Sequence, residues 1–159
     1  MSSAPTPDAE AARRKAEKYC AFQERCSQQL RTYLSKMGLP HTLVEDVIRH
    51  LIKEGFINDE RFARAYARGK FRNNGWGRIR IAMALRQLMN QSGHIDTALD
   101  EIDEEEYLSC LEELLRKKWH SLDSSGKTVQ EKKHRLGKWA YGRGYEPDLV
   151  QRMIQQIMK

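Results

Sequence analysis

The chain has 159 residues, of which 31% are charged and 40% hydrophobic, and a formal charge of +6. That length suits one ordinary domain or several small units sharing a core, and the modest positive charge favours an acidic partner without demanding one. Helix formers dominate, runs of β-branched residues are few and only four prolines occur, which argues against a β-rich fold and for an all-α one.

Residues 1–8 read as a disordered tail. Asp8, after Pro7, is placed to cap a helix from Ala9 to Cys20 whose weakly apolar side is Ala12, Ala16, Tyr19 and Cys20. A second helix carries Cys26, Leu30, Tyr33, Leu34 and Met37 on one face and stops at Gly38. A third begins around Leu39-Pro40-His41-Thr42, presents Leu43, Val44, Val47, Ile48, Leu51 and Ile52, and ends at Gly55. Residues 9–54 therefore form a first three-helix unit.

Gly55 to Gly93 predicts two helices joined at Asn73-Asn74-Gly75-Trp76-Gly77. Asn58 can cap the first by accepting from orphan N–H groups, with Asp59 and Glu60 at the positive end of the dipole. At 100° per residue Phe62 and Tyr66 fall together with Ala63 and Gly69 beside them. Arg61, Arg64, Arg68 and Arg72 form a stripe on the opposite side. The next helix is expected to bury Ile81, Leu85, Leu88 and Met89, leaving Ile79 and Met83 on another face beside Arg80, Arg86 and Asn90. Charge stripes on helices are usually solvated faces. Here the combination with Trp76, held between two glycines, points to a working surface. The unit closes with the acidic HIDTALDEID segment and spans residues 55–103.

The third unit, residues 104–159, opens with a helix from Glu104 to Trp119. Its apolar residues are Tyr107, Leu111, Leu114, Leu115 and Trp119, and its charge order, acidic first and basic last, suits the dipole. SLDSSGK is a loop. Further helices run from about Thr128 to Tyr141 and, opened by Pro147 and Asp148, to Met158.

These units repeat. Aligned on Gly38, Gly93 and Gly144, the three copies place apolar residues in common columns: Leu30, Leu85, Leu136; Tyr33, Leu88, Trp139; Leu34, Met89, Ala140; Val44, Leu99, Val150; Val47, Ile102, Met153. Units this small cannot bury a sufficient core alone, so they are expected to dock as three tandem three-helix repeats in an elongated, curved array.

Catalytic and metal-binding signatures are missing. There is no GxxxxGK[ST], GxGxxG or GxSxG, and the five histidines pair with no cysteine or carboxylate at ligand spacing. Paired carboxylates such as Glu112-Glu113 read as solvated faces, and Lys127 after Gly126 lacks the first glycine of a phosphate loop. Cys20, Cys26 and Cys110 form no CxxC and fall near apolar positions, so they read as buried reduced thiols. No apolar run is long enough to span a bilayer, and Met1–Asp8 lacks the apolar core of a secretory signal. The expectation is a soluble cytoplasmic protein with no cofactor, no metal and no enzymatic activity.

GFINDERFARAYARGK followed by GWGRIRIAMALRQLMNQSG resembles the signature of the RecX family, bacterial regulators of the RecA recombinase. The matching residues are Asp59, Arg61, Phe62, Ala63, Gly75, Trp76, Gly77, Arg80, Ile81, Leu85 and Gly93, and WAYGRGYEPDLV resembles the closing module of that family. Arg78 stands where many relatives have proline, and either residue suits a first helical turn. The resemblance implies a monomeric regulator in DNA repair, homologous recombination and the SOS response. It would lie in the groove of the RecA–DNA filament and inhibit its ATPase, strand exchange and co-protease role. DNA inside the filament would be a further partner, reached by basic helices. The expected contacts are Arg61, Arg64, Arg68, Arg72, Trp76, Arg80 and Arg86. A helix-turn-helix DNA-binding protein is the alternative, opposed by the acidic closing helix of the middle unit. A scaffold without a nucleic-acid link is third.

Overall fold

The computed structural model describes residues 7–89, 91–123 and 126–158, and within them the chain is all-helical. The helices are α1 (Pro7–Phe22), α2 (Ser27–Lys36), α3 (His41–Lys53), α4 (Asp59–Asn74), α5 (Arg78–Met89), α6 (Ser92–Asp100), α7 (Glu104–Ser121), α8 (Val129–Gly142) and α9 (Pro147–Ile157). They form three successive three-helix repeats, each made of neighbours in sequence. The first repeat docks on the second through α2 against α5, and the third shares the second's core, so the repeats follow one another as an array.

Helix starts follow local chemistry. The Asn58 side chain accepts from the Arg61 N–H at 2.9 Å, as the sequence predicts, and Asp103 does the same for Glu106 at 2.9 Å. Thr128 accepts from Glu131 at 3.2 Å. Pro7 and Asp8 belong to the first turn of α1, whereas the Asp8 side chain and residues 1–6 of the expected tail lie outside the described residues. So do Asn90 and the Ser124-Ser125 pair of the expected loop.

The repeat holds where it matters most and slips at one joint. Leu30, Leu85 and Leu136 are each fully buried, as are Leu34 and Ala140, and Met89 is nearly so. Tyr33, Leu88 and Trp139 are all half-buried. The glycine alignment fails in the middle unit. Gly38 and Gly144 stand beyond the ends of α2 and α8 at φ 79° and 97°, but Gly93 lies inside the first turn of α6. The joint between the second and third helices is shorter there, because α5 stops at Met89 and α6 is already under way at Ser92. In α6 the buried residues are accordingly Ile95 and Ala98, while Leu99 and Ile102 are only half-buried. Met37 and Ile52, expected inside, are 37% and 49% exposed, because Met37 is already the C-cap of α2 and Ile52 lies off the buried stripe of α3.

Two cores result. The first repeat packs Ala12, Ala16, Leu30, Leu34, Val44, Val47, Leu51 and Ile57 against one another. The second and third repeats share one continuous core, from Phe62 and Ala67 through Phe71, Tyr107 and Tyr145 to Val150 and Ile154. Cys26 alone of the first repeat joins that core, its thiol 3.5 Å from the Leu88 carbonyl oxygen. Cys20 is buried in the first repeat's own core, as expected, and burial pushes the Cys20 thiol up to about 11. Cys110 is only half-buried and touches the Tyr145 hydroxyl at 3.7 Å.

Candidate interaction surface

The arginines of α4 are largely engaged within the molecule. Arg61 pairs with Glu24 at 2.8 Å and donates to the Gly55 and Phe56 carbonyls, tying α4 to the first repeat. Arg64 sits between Glu60 at 2.6 Å and Glu101 at 3.1 Å. Arg72 reaches Glu106 on α7 at 3.2 Å. With Arg68, Arg64 and Arg72 line a cleft of about 340 Å³ closed by Phe71, Ile102, Asp103 and the two glutamates. Arg68 is exposed and, among the described residues, in no ion pair. The stripe thus faces acidic side chains supplied by α6 and α7, a juxtaposition that helical periodicity within α4 cannot reveal.

On α5 the expectation and the geometry agree in placement. Ile79 and Met83 are 43% and 57% exposed, one turn apart, with Arg80 and Arg86 exposed beside them. The Arg80 guanidinium lies 4.1 Å over the Trp76 ring, and the Lys70 ammonium lies 4.9 Å from the same ring. Trp76 is half-buried, packed on the shared core with cations against its ring. Such contacts hold both ring and cations in place while leaving their charge at the surface.

The glycines that flank Trp76 have a different purpose. Gly75 takes φ 67° as the left-handed C-cap of α4, and the Trp76 N–H returns to the Lys70 carbonyl at 3.1 Å. Gly77 crosses the third repeat. Its N–H donates to the Arg143 carbonyl at 2.8 Å, and the Ile79 N–H donates to the Gly144 carbonyl at 2.9 Å. The Arg78 N–H donates to the Tyr107 hydroxyl at 3.1 Å. The first turn of a helix has no intrahelical partners for its N–H groups, and here the neighbouring repeat supplies them.

Side chains reinforce this joint. Tyr107 donates to Glu146, and Arg78 pairs with Glu146 at 2.8 Å and with Glu104 while stacking 3.8 Å over the Tyr107 ring. Tyr145 donates to the Gly75 carbonyl at 3.1 Å, and Arg143 donates to the Asn74 carbonyl. Burial first, and then the Glu146 hydrogen bond, push the Tyr107 hydroxyl well above the ordinary phenol range. Sequence reading treats Arg78 as a neutral exchange for proline, yet its guanidinium ties together α5, α7 and α9. Its one visible signal is the match of WAYGRGYEPDLV to a closing module, which carries Arg143, Gly144, Tyr145 and Glu146.

No helix among the described residues is long and apolar enough to cross a membrane, and none of their His, Cys, Asp and Glu side chains form a group of three able to hold a metal ion.

Three family models match in tandem: the first three-helix domain of RecX over residues 12–51, the second over 58–99 and the third over 104–154. The regulatory protein RecX of Streptococcus uberis is 33% identical over 85 residues, which cover 54% of this chain and 33% of that protein. The one from Lactobacillus johnsonii is 25% identical over 142 residues, covering 89% of this chain and 52% of the relative. This chain therefore spans between a third and about half the length of these curated relatives. The crystal structure of RecX from Lactobacillus salivarius superposes with a TM-score of 0.85 at 19% identity, covering 94% of this chain and 96% of that one, and so shares the fold. With its three repeats each matched in order by the corresponding domain, the chain belongs to the RecX family.

Proposed function

We infer that this protein is an inhibitory regulator of the RecA recombinase that works as a cytoplasmic monomer. It lies along the recombinase–DNA filament and restrains its ATPase, strand exchange and co-protease activity. The observation that carries this reading is the tandem match of all three RecX domains on an array of helical repeats. An array can touch successive subunits of a filament, gaining affinity from several weak contacts at once. The contact surface of this reading centres on Arg80, Arg86 and Trp76 around the exposed Ile79 and Met83, with Arg68 beside the cleft. Arg61, Arg64 and Arg72 are a second tier, since each must exchange an internal carboxylate for one on the partner.

The test is inhibition of recombinase ATPase and strand exchange by the purified chain and two variants. Arg80→Ala with Arg86→Ala should lose inhibition strongly, and Arg64→Ala, Arg68→Ala, Arg72→Ala combined should lose less. A wild-type chain that leaves both activities untouched overturns the regulator reading. A double variant that inhibits like wild type moves the contact away from α5.

A further inference from the structure

Positive charge gathers on α8 with little acidic charge to offset it. α8 carries Lys132, Lys133, Arg135 and Lys138 against a single acidic residue, Glu131. Lys132 is bound to Asp123 and lies 4.1 Å from the Trp119 ring. Arg135 and Lys138 are exposed and, among the described residues, unpaired with any carboxylate. They contrast with the arginines of α4, three of which are neutralised within the fold.

The neighbouring face of α9 has a different chemistry. Its exposed residues include Gln151, Arg152, Gln155 and Gln156, with Asp148 as the one carboxylate. Arg135, Lys138 and Tyr141 follow one another at three-residue spacing, forming a row on α8 that drifts toward α9. There the Gln151 amide donates to the Tyr141 hydroxyl, so the cationic row and the amide row form one surface. Gly137 permits this approach: a Cβ there would sit 3.0 Å from the Gln151 amide nitrogen and 3.3 Å from the Tyr141 hydroxyl.

We propose that this α8–α9 face binds double-stranded DNA directly, with Arg135, Lys138 and Arg152 on the phosphates and the Gln151–Gln155 edge of α9 in the major groove. The major groove admits one α-helix, and glutamine amides match the paired donor and acceptor of adenine there. Cations alone would suit any acidic surface. An amide-rich helix beside them suits base edges, because a glutamine amide meets an adjacent donor and acceptor at once, whereas carboxylates and phosphates offer acceptors alone. This contact needs no recombinase, and it gives the closing repeat the base-reading chemistry that the acidic α6 lacks.

The experiment is fluorescence anisotropy of a labelled 30-base-pair duplex with the full chain alone, across a salt series. Wild type should bind at low salt with affinity falling steeply as salt rises. Arg135→Ala, Lys138→Ala and Arg152→Ala combined should weaken binding at least tenfold and flatten the slope of log K against log salt by about 2 to 3, near 0.9 per lost phosphate contact. Gln151→Ala with Gln155→Ala should weaken binding several-fold with the slope unchanged. Arg14→Ala, Lys15→Ala and Lys18→Ala combined, on the exposed side of α1, should bind like wild type. Absence of duplex binding by wild type, stronger binding to a single strand of equal length, or an undiminished slope in the α8–α9 triple variant each overturns the proposal. Recombinase inhibition is measured separately, so either reading can fail without the other.

Discussion

Gly77 and Gly144 lie backbone against backbone, 67 positions apart in the chain, and neither has room for a side chain. A Cβ on Gly77 would collide with the Gly144 carbonyl group and sit 2.5 Å from the Tyr145 nitrogen. A Cβ on Gly144 would sit 2.6 Å from the Arg80 nitrogen. Gly144 also holds φ 97°. The contact lets the third repeat supply the N-terminal hydrogen-bond acceptors of α5.

Substituting alanine at either glycine should therefore destabilise the protein by about 2–4 kcal/mol, combining overpacking with, at Gly144, a strained backbone. Gly93→Ala, helical with nothing within 4 Å of the added carbon, should instead be neutral or stabilising by up to about 1 kcal/mol. Urea titrations of the three variants check the contrast.

Leu30, Leu85 and Leu136 occupy equivalent sites with no exposed surface. Each changed to alanine should cost about 2–5 kcal/mol. Leu85→Ala and Leu136→Ala disturb the same core, so they should shift the same cooperative transition. Leu30→Ala should act chiefly on the first repeat, read by hydrogen exchange in α1–α3.

Asp59 is the polar clasp between the first two repeats. Its carboxylate accepts from the Ser27 N–H at 2.7 Å, the Ser27 hydroxyl at 2.6 Å and the Gln91 amide at 2.7 Å. Asp59→Ala removes three hydrogen bonds to a charged group and should cost about 1–3 kcal/mol. Faster amide exchange in α1–α3 than in α7–α9 is the expected signature. Uniform exchange would place the clasp's role elsewhere.

Tyr107 and Tyr145 should resist ionisation. Burial dominates both upward shifts, aided by Glu146 at Tyr107 and by Cys110 at Tyr145. A raised folded pKa means the stabilisation is complete below the ordinary phenol value of 10.0 and is lost as pH rises above it, where only the unfolded chain ionises. Absorbance at 295 nm should show these two phenols titrating together with alkaline unfolding. In Tyr107→Phe the unfolding midpoint should move to higher pH, if the variant retains the core.

Periodicity within single elements was enough to place the helices, the Asn58 cap and most buried positions, though not the start of α1, which takes in the expected cap Asp8. Asn58, the three repeated leucines and the exposed pair Ile79 and Met83 all stand where spacing puts them. These features depend on neighbours within a turn or two, so they are written locally. The repeat register slipped in α6 because a shortened joint leaves no glycine at the second helix's end, and alignment by glycine mistook Gly93 for one.

What the tertiary structure alone decided is which charges are free and which residues join the repeats. The α4 arginines look like an open stripe in sequence, but Glu24 from the α1–α2 connection, Glu101 at the end of α6 and Glu106 on α7 arrive to neutralise Arg61, Arg64 and Arg72. The Gly-Trp-Gly motif is conspicuous in the chain, yet the reason for Gly77 is a backbone that returns only in the third repeat. Side-chain spacing determines a helix's own faces. Pairing across repeats depends on how those faces dock, and a carboxylate thirty or more residues away carries no local mark of the guanidinium it will meet.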